Sequence, residues 1–214
     1  MRIATSDSAV VATIRVGPQP EGIATTPGAI WVVNKGGPSV SRIDPATNKV
    51  VATIPIGPAA ACCSDHMAVT AGAGAVWASL PSLHSIVRID PATNEVVARV
   101  RLTGQPCAFL AADETGVWAA GGHCVSAVMG LNPRTNGAGR AVHGVAAPIG
   151  VAVGFGSLWV ADLDARQIER VNVRTGRIVA RLSLRGLPVR LAVGFGSLWV
   201  RDDSGRVLRI RPER

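Results

Sequence analysis

The sequence predicts an all-β protein, a five-bladed β-propeller made of four-stranded antiparallel blades. Five tryptophans recur at spacings of 46, 41, 41 and 40 residues, at positions Trp31, Trp77, Trp118, Trp159 and Trp199. A four-stranded propeller blade is about 40 residues long. The composition agrees, because 24 Gly and 14 Pro in 214 residues, with 4% aromatic and 17% charged residues, indicate many tight turns between short apolar segments.

Each repeat has the same order of strands, named a to d from the axis outward. An apolar strand such as GIATT comes first, a Gly turn and the Trp strand follow, and a strand like SVSRID is third. A Pro-Ala-Thr-Asn turn within 44–48, and again within 90–94, leads to the outer strand. Pro fixes φ and Asn tolerates left-handed geometry, so both suit this turn. The predicted blades span 22–57, 66–103, 108–144, 150–185 and 190–212.

The last repeat stops after its third strand, and the N-terminal segment matches the strand that it lacks. Residues 10–17 read VVATIRVG, and the outer strand of the first repeat reads VVATIPIG at 50–57. We therefore expect residues 9–17 to complete the last blade. That pairing closes the ring and removes its exposed strand edges. Residues 1–214 are then one domain.

The motifs GxxxxWV, RIDPATN and VVATIxVG cover most of the chain and resemble those of the virginiamycin B lyase-like and YVTN-type β-propeller families. The resemblance implies the fold, while proteins of these families serve as lyases, ligand binders and scaffolds. The streptogramin lyases have seven blades and use histidines, a glutamate and magnesium near the later blades. Here the last two blades have no histidine after His143, so no catalytic residue is carried over.

The chain has no apolar run of the roughly 18 residues that a membrane-spanning helix requires. Residues 1–9 also lack the basic start and apolar middle of a secretory signal. We therefore expect an intracellular protein or a mature domain without its leader. Structural disulfides would indicate an extracytoplasmic location.

Strand alternation places the d-to-a connections and the b-to-c loops on one face, here named the upper face. It receives segments 57–67, 80–85, 104–107, 121–125 and 143–148, which contain all four cysteines and all four histidines. A purely structural explanation for the cysteines is disulfide bonding, with Cys107 and Cys124 near each other on strands a and b of one blade. Four cysteines allow three complete pairings, which the sequence does not distinguish.

Two further explanations for these residues stay open. Thiolates and imidazoles together suit zinc or copper, with Cys62, Cys107 and Cys124 as metal ligands, although no CxxC or HxxxH spacing is present. Alternatively, a cysteine such as Cys63 is a nucleophile that His66, His84 or His123 activates and Asp65 orients. Unpaired, inert thiols are the remaining alternative.

A second polar set lies on the same face. The residue three places after the tryptophan is polar in three repeats, and Glu21 and Arg190 lie where strand a begins in blades 1 and 5. These residues and His84 are the predicted ligand-binding residues: Glu21, Asn34, His84, Asp162, Arg190 and Asp202. The carboxylates could hold calcium or magnesium or serve as acid and base. They could also be solvated loop residues that offset nearby arginines.

The net charge of +8 arises entirely in the last third of the chain. Residues 134–214 contain 14 Lys and Arg against 6 Asp and Glu, whereas residues 1–133 contain 8 of each. Arginines recur along blade four as outward strand positions would, at 166, 170, 174, 177, 181, 185 and 190. No stacking aromatics or nucleic-acid motifs accompany them, so a solvated rim is favoured over nucleic-acid binding.

These observations favour a monomeric propeller whose upper face binds a small molecule. We lean towards an enzyme, a hydrolase or lyase with or without a divalent metal, with His66, His123, Cys63 and Asp65 as its catalytic residues. The alternative is a non-catalytic module that binds ligands or proteins and in which the cysteines form structural disulfides.

Overall fold

The computed structural model describes residues 1–58, 66–106 and 109–212. It has the five-bladed β-propeller architecture that the tryptophan spacing predicts. Blade 1 contains β3 (Pro20–Thr26), β4 (Ala29–Asn34), β5 (Ser39–Asp44) and β6 (Lys49–Pro55). Blade 2 contains β7 (Val69–Gly72), β8 (Ala75–Leu80), β9 (Ser85–Asp90) and β10 (Glu95–Arg101), with a 3-10 turn at Pro81–Leu83.

The later blades follow the same antiparallel order. Blade 3 contains β11 (Leu110–Ala112), β12 (Val117–Ala120), β13 (Val128–Asn132) and β14 (Gly137–Ala138). Blade 4 contains β15 (Pro148–Gly154), β16 (Ser157–Asp162), β17 (Gln167–Asn172) and β18 (Ile178–Ser183). Blade 5 has three strands among the described residues: β19 (Pro188–Gly194), β20 (Ser197–Asp202) and β21 (Val207–Ile210).

The N-terminal segment does not complete the last blade, which corrects the predicted closure. Its strand β2 (Val10–Ala12) pairs with β1 (Arg2–Ile3) in a separate two-stranded sheet, here named the N-terminal hairpin. Residues 10–17 match the sequence of an outer strand, and β2 pairs with β1 in the register of an outer strand. However, β1 supplies the third strand that this outer strand needs, so β2 has a partner without reaching β21.

The predicted turns form as expected. Asn48, Asn94 and Asn136 have φ of 57°, 61° and 52°, in the left-handed region that asparagine tolerates. At the start of the first turn, the Asp44 carboxylate accepts the backbone N–H of Ala46 at 2.8 Å. Asp90 does the same for Ala92 at 2.7 Å.

Each blade presents one face with its tryptophan, the Trp face, and an opposite face, the back face. Four apolar clusters join the Trp face of one blade to the back face of the next. In the first cluster, for example, Trp31 and Val33 pack with Val69 and Val76 of blade 2. Buried aromatic and branched side chains of this kind supply most of the folding free energy.

An arginine on the third strand covers four of the tryptophans and fastens two of the junctions between blades. The Arg42 guanidinium carbon lies 5.3 Å from the Trp31 ring centroid, within cation–π range. Its Nη1 also donates to the Pro91 carbonyl at 3.0 Å and to Asn94 Oδ1 at 2.7 Å, in the c-to-d turn of blade 2. The Arg88 side chain makes the corresponding bonds to blade 3. This arrangement is named the arginine clasp.

No helix in the described part of the chain is long and apolar enough to cross a membrane.

Candidate functional site

A charged cluster lies where the chain passes from blade 1 to blade 2 on the upper face. Glu21 Oε1 lies 3.6 Å from Lys35 Nζ and 3.6 Å from His66 Nδ1. Its Oε2 accepts the backbone N–H of Met67 at 2.6 Å. The Glu21 and Lys35 side chains are mostly buried, whereas the His66 side chain is 65% exposed. The Glu21 carboxylate therefore lies next to one nitrogen of an accessible imidazole.

A second feature occupies the start of strand a. Strand register places one equivalent residue there in each blade, paired with the residue two places after the tryptophan: Gly22, Ala68, Phe109, Gly150 and Arg190. Two of these side chains are large, and they meet. The Arg190 guanidinium carbon lies 3.7 Å from the Phe109 ring centroid, so blade 5 reaches blade 3 past Gly150 of blade 4.

Arg190 has a second arginine, Arg201, as its cross-strand partner. Burial, and to a smaller extent the neighbouring positive charge of Arg201, lowers the pKa of Arg190. Its Nη1 donates to the Val189 carbonyl at 3.1 Å. The ion pairs of the described residues include neither arginine. Two cations on one edge without a carboxylate partner attract anions.

The polar residues three places after the tryptophan are buried, and their polar atoms bond within the protein. Asp162 is 1% exposed and accepts the backbone N–H groups of Ala146, Ala147 and Ala165 at 2.6, 3.0 and 3.2 Å. The first two lie in the connection that leads into blade 4. Asp162 therefore ties this connection to the end of β16, and its carboxylate is engaged by the backbone.

Asp202 has the same place in blade 5 and is also buried. Its Oδ2 lies 2.7 Å from Arg206 Nη2, and its Oδ1 accepts from the Ser204 hydroxyl at 2.7 Å. The hydrogen bonds from Ser204 and Arg206 lower the pKa of Asp202 to about 2. Its neighbour Asp203 accepts the Leu187 N–H at 2.8 Å.

In blade 1 the equivalent residue is Asn34, which is fully buried. Its amide nitrogen donates to the Ser39 and Ser41 hydroxyls at 3.1 and 3.0 Å, while its Oδ1 has no hydrogen-bond partner. The side chains of these three predicted ligand residues thus form hydrogen bonds within the protein at the ends of blades 1, 4 and 5. Glu21 and Arg190, in contrast, remain at the axial end of strand a.

The remaining predicted site residues are only partly brought together. His84 is exposed, with φ of 47°, at the end of the 3-10 turn in blade 2, and His123 and His143 are exposed on blade 3. Cys62, Cys63, Asp65 and Cys107 lie outside the described residues. The catalytic assignments of His66, His123, Cys63 and Asp65 therefore stay predictions.

Cys124 is disulfide-bonded. A sulfur in a disulfide is not a thiolate ligand, so the predicted metal site at Cys62, Cys107 and Cys124 requires that bond to be reduced. Among the described residues, no three His, Cys, Asp or Glu side chains form a group that could hold a metal ion.

Sequence reasoning missed Glu169 on β17. It is 1% exposed, lies on the back face of blade 4, and has one oxygen, Oε2, without a hydrogen-bond partner. Arg181 Nε lies 3.6 Å from the other oxygen. Burial, and then the nearby charge of Asp162, raises the pKa of Glu169 to about 7. A signal was available, because the same register position holds Ser, Val, Met and Leu in the other blades.

Three arginines predicted to line a solvated rim make specific contacts within the protein, and two of them, Arg181 and Arg190, are also exposed. Arg170 lies 5.4 Å from the Trp159 ring centroid, and its Nε donates to the Ser157 hydroxyl at 2.8 Å. Arg181 contacts Glu169, and Arg190 covers Phe109. The sequence indicates outward positions for these side chains but not the contacts that they make, because it does not specify which face each strand buries.

No protein-family model and no curated protein matches the chain. Solved propeller structures resemble it in fold. Hydrazine synthase from Kuenenia stuttgartiensis has a TM-score of 0.68 and 13% identity, with 91% of this chain and 66% of that chain covered. BamB from Moraxella catarrhalis has a TM-score of 0.67 and 18% identity, with 87% and 56% covered.

The Pan2 WD40 domain from Neurospora crassa has a TM-score of 0.67 and 13% identity, with 91% of this chain and 64% of that chain covered. The chain thus spans less than two thirds of each of these proteins. Identities this low show the β-propeller fold alone. The resemblance to the virginiamycin B lyase-like family stays a prediction.

Proposed function

We propose that this propeller binds a small anionic molecule, with a carboxylate or phosphate group, at the axial end of strand a. The contact between Arg190 and Phe109 carries the proposal. A guanidinium held against an aromatic ring is oriented, and it keeps donors free for an anion. Positions 22, 68 and 150 are small, so they leave space beside this pair.

The charge around Arg190 supports an anionic ligand. Arg201 lies beside it, and their mutual repulsion is relieved when a negative group binds between them. Each blade contributes one side chain to the predicted upper-face site. Since so few side chains surround the site, we expect a small ligand. Phe109 favours a ligand with an apolar or aromatic part.

Titration with benzoate tests this proposal, and neutral benzamide serves as the matched ligand. Calorimetry is expected to show that benzoate binds and benzamide does not, with affinity that falls as salt rises. Arg190→Gln should weaken benzoate binding at least tenfold. Arg174→Gln removes one positive charge from an exposed turn of blade 4 and should leave binding unchanged. Equal losses in the two variants would refute a specific site.

A second candidate function is hydrolase or lyase chemistry on the upper face, favoured by the contact between Glu21 and His66. If the Glu21 carboxylate closes to hydrogen-bond distance of one imidazole nitrogen, it orients the ring and leaves the other nitrogen as a general base or acid. In this proposal, His123, Cys63 and Asp65 complete the site and His84 contacts the substrate. The 3.6 Å distance between the two side chains is the supporting observation.

A panel of ester, lactone and phosphoester substrates tests this second candidate. His66→Ala and His123→Ala are expected to abolish turnover without lowering thermal stability, whereas His143→Ala, an exposed histidine on the same face, should have no effect. Full activity in the first two variants would exclude them from the chemistry.

We further propose that the partner of Cys124 is Cys107. Thiol titration of the denatured protein, with and without reductant, and mass spectrometry of the linked peptides would identify the pair. A peptide joined to Cys62 or Cys63 would exclude this pairing. A native disulfide would favour an extracytoplasmic location.

A further inference from the structure

The two end blades of the described chain each leave one face uncovered. Each of the four apolar clusters joins two neighbouring blades, from 1 and 2 through to 4 and 5. Within the described residues, no cluster joins the Trp face of blade 5 to the back face of blade 1. A closed ring of five blades needs five such junctions.

The back face of blade 1 is apolar and partly exposed, with Val32 and Ile43 buried at 8% and 4% exposure and Ile23 in contact with solvent. Ile23 is 68% exposed, whereas the residues at its register position in blades 2, 3 and 4, Val69, Leu110 and Val151, are 7%, 8% and 6% exposed. Among the described residues, no other blade packs on this face of blade 1. Ile23 lines a groove of about 340 Å³ together with five other β-branched apolar side chains: Ile14, Val16, Ile30, Val32 and Ile43.

The uncovered Trp face of blade 5 is its counterpart. Trp199 is only half-buried, whereas the other four tryptophans are buried. Arg209 covers it at 5.3 Å, as in the other blades, and Val207 on the same face is 63% exposed. Ala192, paired with Trp199, is exposed, while its equivalent in blade 4, Ala152, is 8% exposed.

The N-terminal hairpin shows what the groove accommodates. Arg2 pairs with Ala12 and Ile3 with Val10, the same register as that of Arg42 with Ala52 and Ile43 with Val50 in blade 1. The hairpin is therefore the outer half of a blade, formed by third and fourth strands, and the groove beside it is the place of the inner two strands.

The hairpin is also fastened as a blade is. Arg2 Nη1 donates to the Pro45 carbonyl at 2.8 Å and to Asn48 Oδ1 at 3.0 Å, and so forms an arginine clasp on blade 1. Blade 5 contains an equivalent third strand, β21, with Arg209 and Ile210 where β1 has Arg2 and Ile3. The strands β1 and β21 thus suit the same place beside β2.

We propose that the back face of blade 1 binds blade 5 of a second copy of this chain. Side chains on the Trp face of the partner's inner strands enter the groove, its β21 replaces β1 beside β2, and its arginine forms the clasp that Arg2 now makes. The new junction then has the same residue pattern as the four internal ones. It is a head-to-tail contact, so each copy keeps one free face of each kind.

Association between copies is favoured over closure within one chain because the existing junctions fix the curvature. Packed cores do not deform continuously. The contact between Arg190 and Phe109 further holds blade 5 against blade 3. Arg190 lies at the axial margin of the Trp face, so anion binding and self-association use different parts of blade 5.

Sedimentation velocity over a hundredfold range of concentration tests the proposal. The wild type is expected to associate with rising concentration. Ile23→Glu and Ala192→Glu, one on each open face, should each weaken association at least tenfold. Val179→Glu places the same charge on the outer strand of blade 4, at a valine that is 58% exposed, and should associate like the wild type.

Mixing the two face variants provides the decisive measurement. One copy then offers an intact blade 5 face and the other an intact blade 1 face, so the mixture should form a dimer and nothing larger. Arg2→Ala loosens β1 and should strengthen wild-type association several-fold. A monomeric wild type at every concentration, or a mixture that stays monomeric, would overturn the proposal.

Discussion

Single residues of this protein act mainly through the burial that the blades impose on them. Glu169 is the clearest case, because its carboxyl group lies inside the junction between blades 3 and 4 with one oxygen unbonded. Asp162, close by, is also buried but accepts three backbone N–H groups. The same chemical group is therefore fully engaged by backbone N–H groups at Asp162 and left with one unbonded oxygen at Glu169, where burial raises the pKa.

Glu169 is expected to make stability fall with rising pH. Its pKa is raised from an ordinary value of 4.5 to about 7, so the folded state binds the proton more tightly than the unfolded state between these values. Its contribution is full below pH 4.5 and is lost as pH rises through 7, by an amount on the order of 3 kcal/mol. Urea unfolding of Glu169→Gln should lack this loss, so the variant is more stable than the wild type at pH 8.

Glu114→Gln is the matched control for that measurement, because Glu114 is exposed in a turn of blade 3. Its stability should follow the wild type at each pH. Parallel curves for the wild type and Glu169→Gln would show that Glu169 does not ionise in this window.

At the scale of the element, the Trp strand gives each blade its attachment to the next. Trp159 packs with Leu198 and Val200 of blade 5, while Trp199 has no following blade among the described residues. Equivalent residues in equivalent strands therefore differ in the contacts that they make. The tryptophan side chain therefore contributes most to stability where a following blade covers it.

Trp159→Ala is expected to destabilise the protein by about 3 to 5 kcal/mol, the usual cost of removing a buried tryptophan. Trp199→Ala should cost less than half as much in dilute solution, since its ring is already partly in water. Urea midpoints of the two variants compare these costs directly. Equal destabilisation would mean that the Trp face of blade 5 is covered in solution.

At the scale of the whole molecule, the repeat spacing was enough to predict five antiparallel blades, since each tryptophan begins the same pattern of turns. The closure was predicted wrongly because the match of residues 10–17 to an outer strand is eight residues long, whereas its partner β1 has only Arg2 and Ile3. A match of two residues carries no sequence signal. The pairing of β1 with β2 is evident only from the three-dimensional register.

The candidate site was less predictable than the fold. Strand alternation predicted that Glu21, His66 and Arg190 share a face, but the contact between Phe109 and Arg190 joins residues 81 positions apart. No local period encodes such a contact. The burial of Asp162 and Asp202 likewise depends on how the preceding connection folds over them, which composition does not specify.

The arc of junctions also predicts a gradient of local stability. Blades 2, 3 and 4 are covered on both faces, blade 1 is covered on one face and partly by the hairpin, and blade 5 on one face only. Amide hydrogen exchange should be slowest in β8, β12 and β16, and fastest in β20 among the Trp strands. Uniform protection of all five would contradict an open arc.

The arginine clasp has a mechanical consequence. Arg2, Arg42 and Arg88 each bind a turn of the blade that follows. These clasps therefore link the hairpin to blade 1, blade 1 to blade 2 and blade 2 to blade 3 through hydrogen bonds. Arg209 has the equivalent position in blade 5, but the described residues contain no further blade whose c-to-d turn it could bind. Under tension applied to the two ends of the chain, the three seams held by a clasp, from the N-terminal hairpin to blade 3, are therefore expected to resist separation longer than the same seams in variants that lack these arginines.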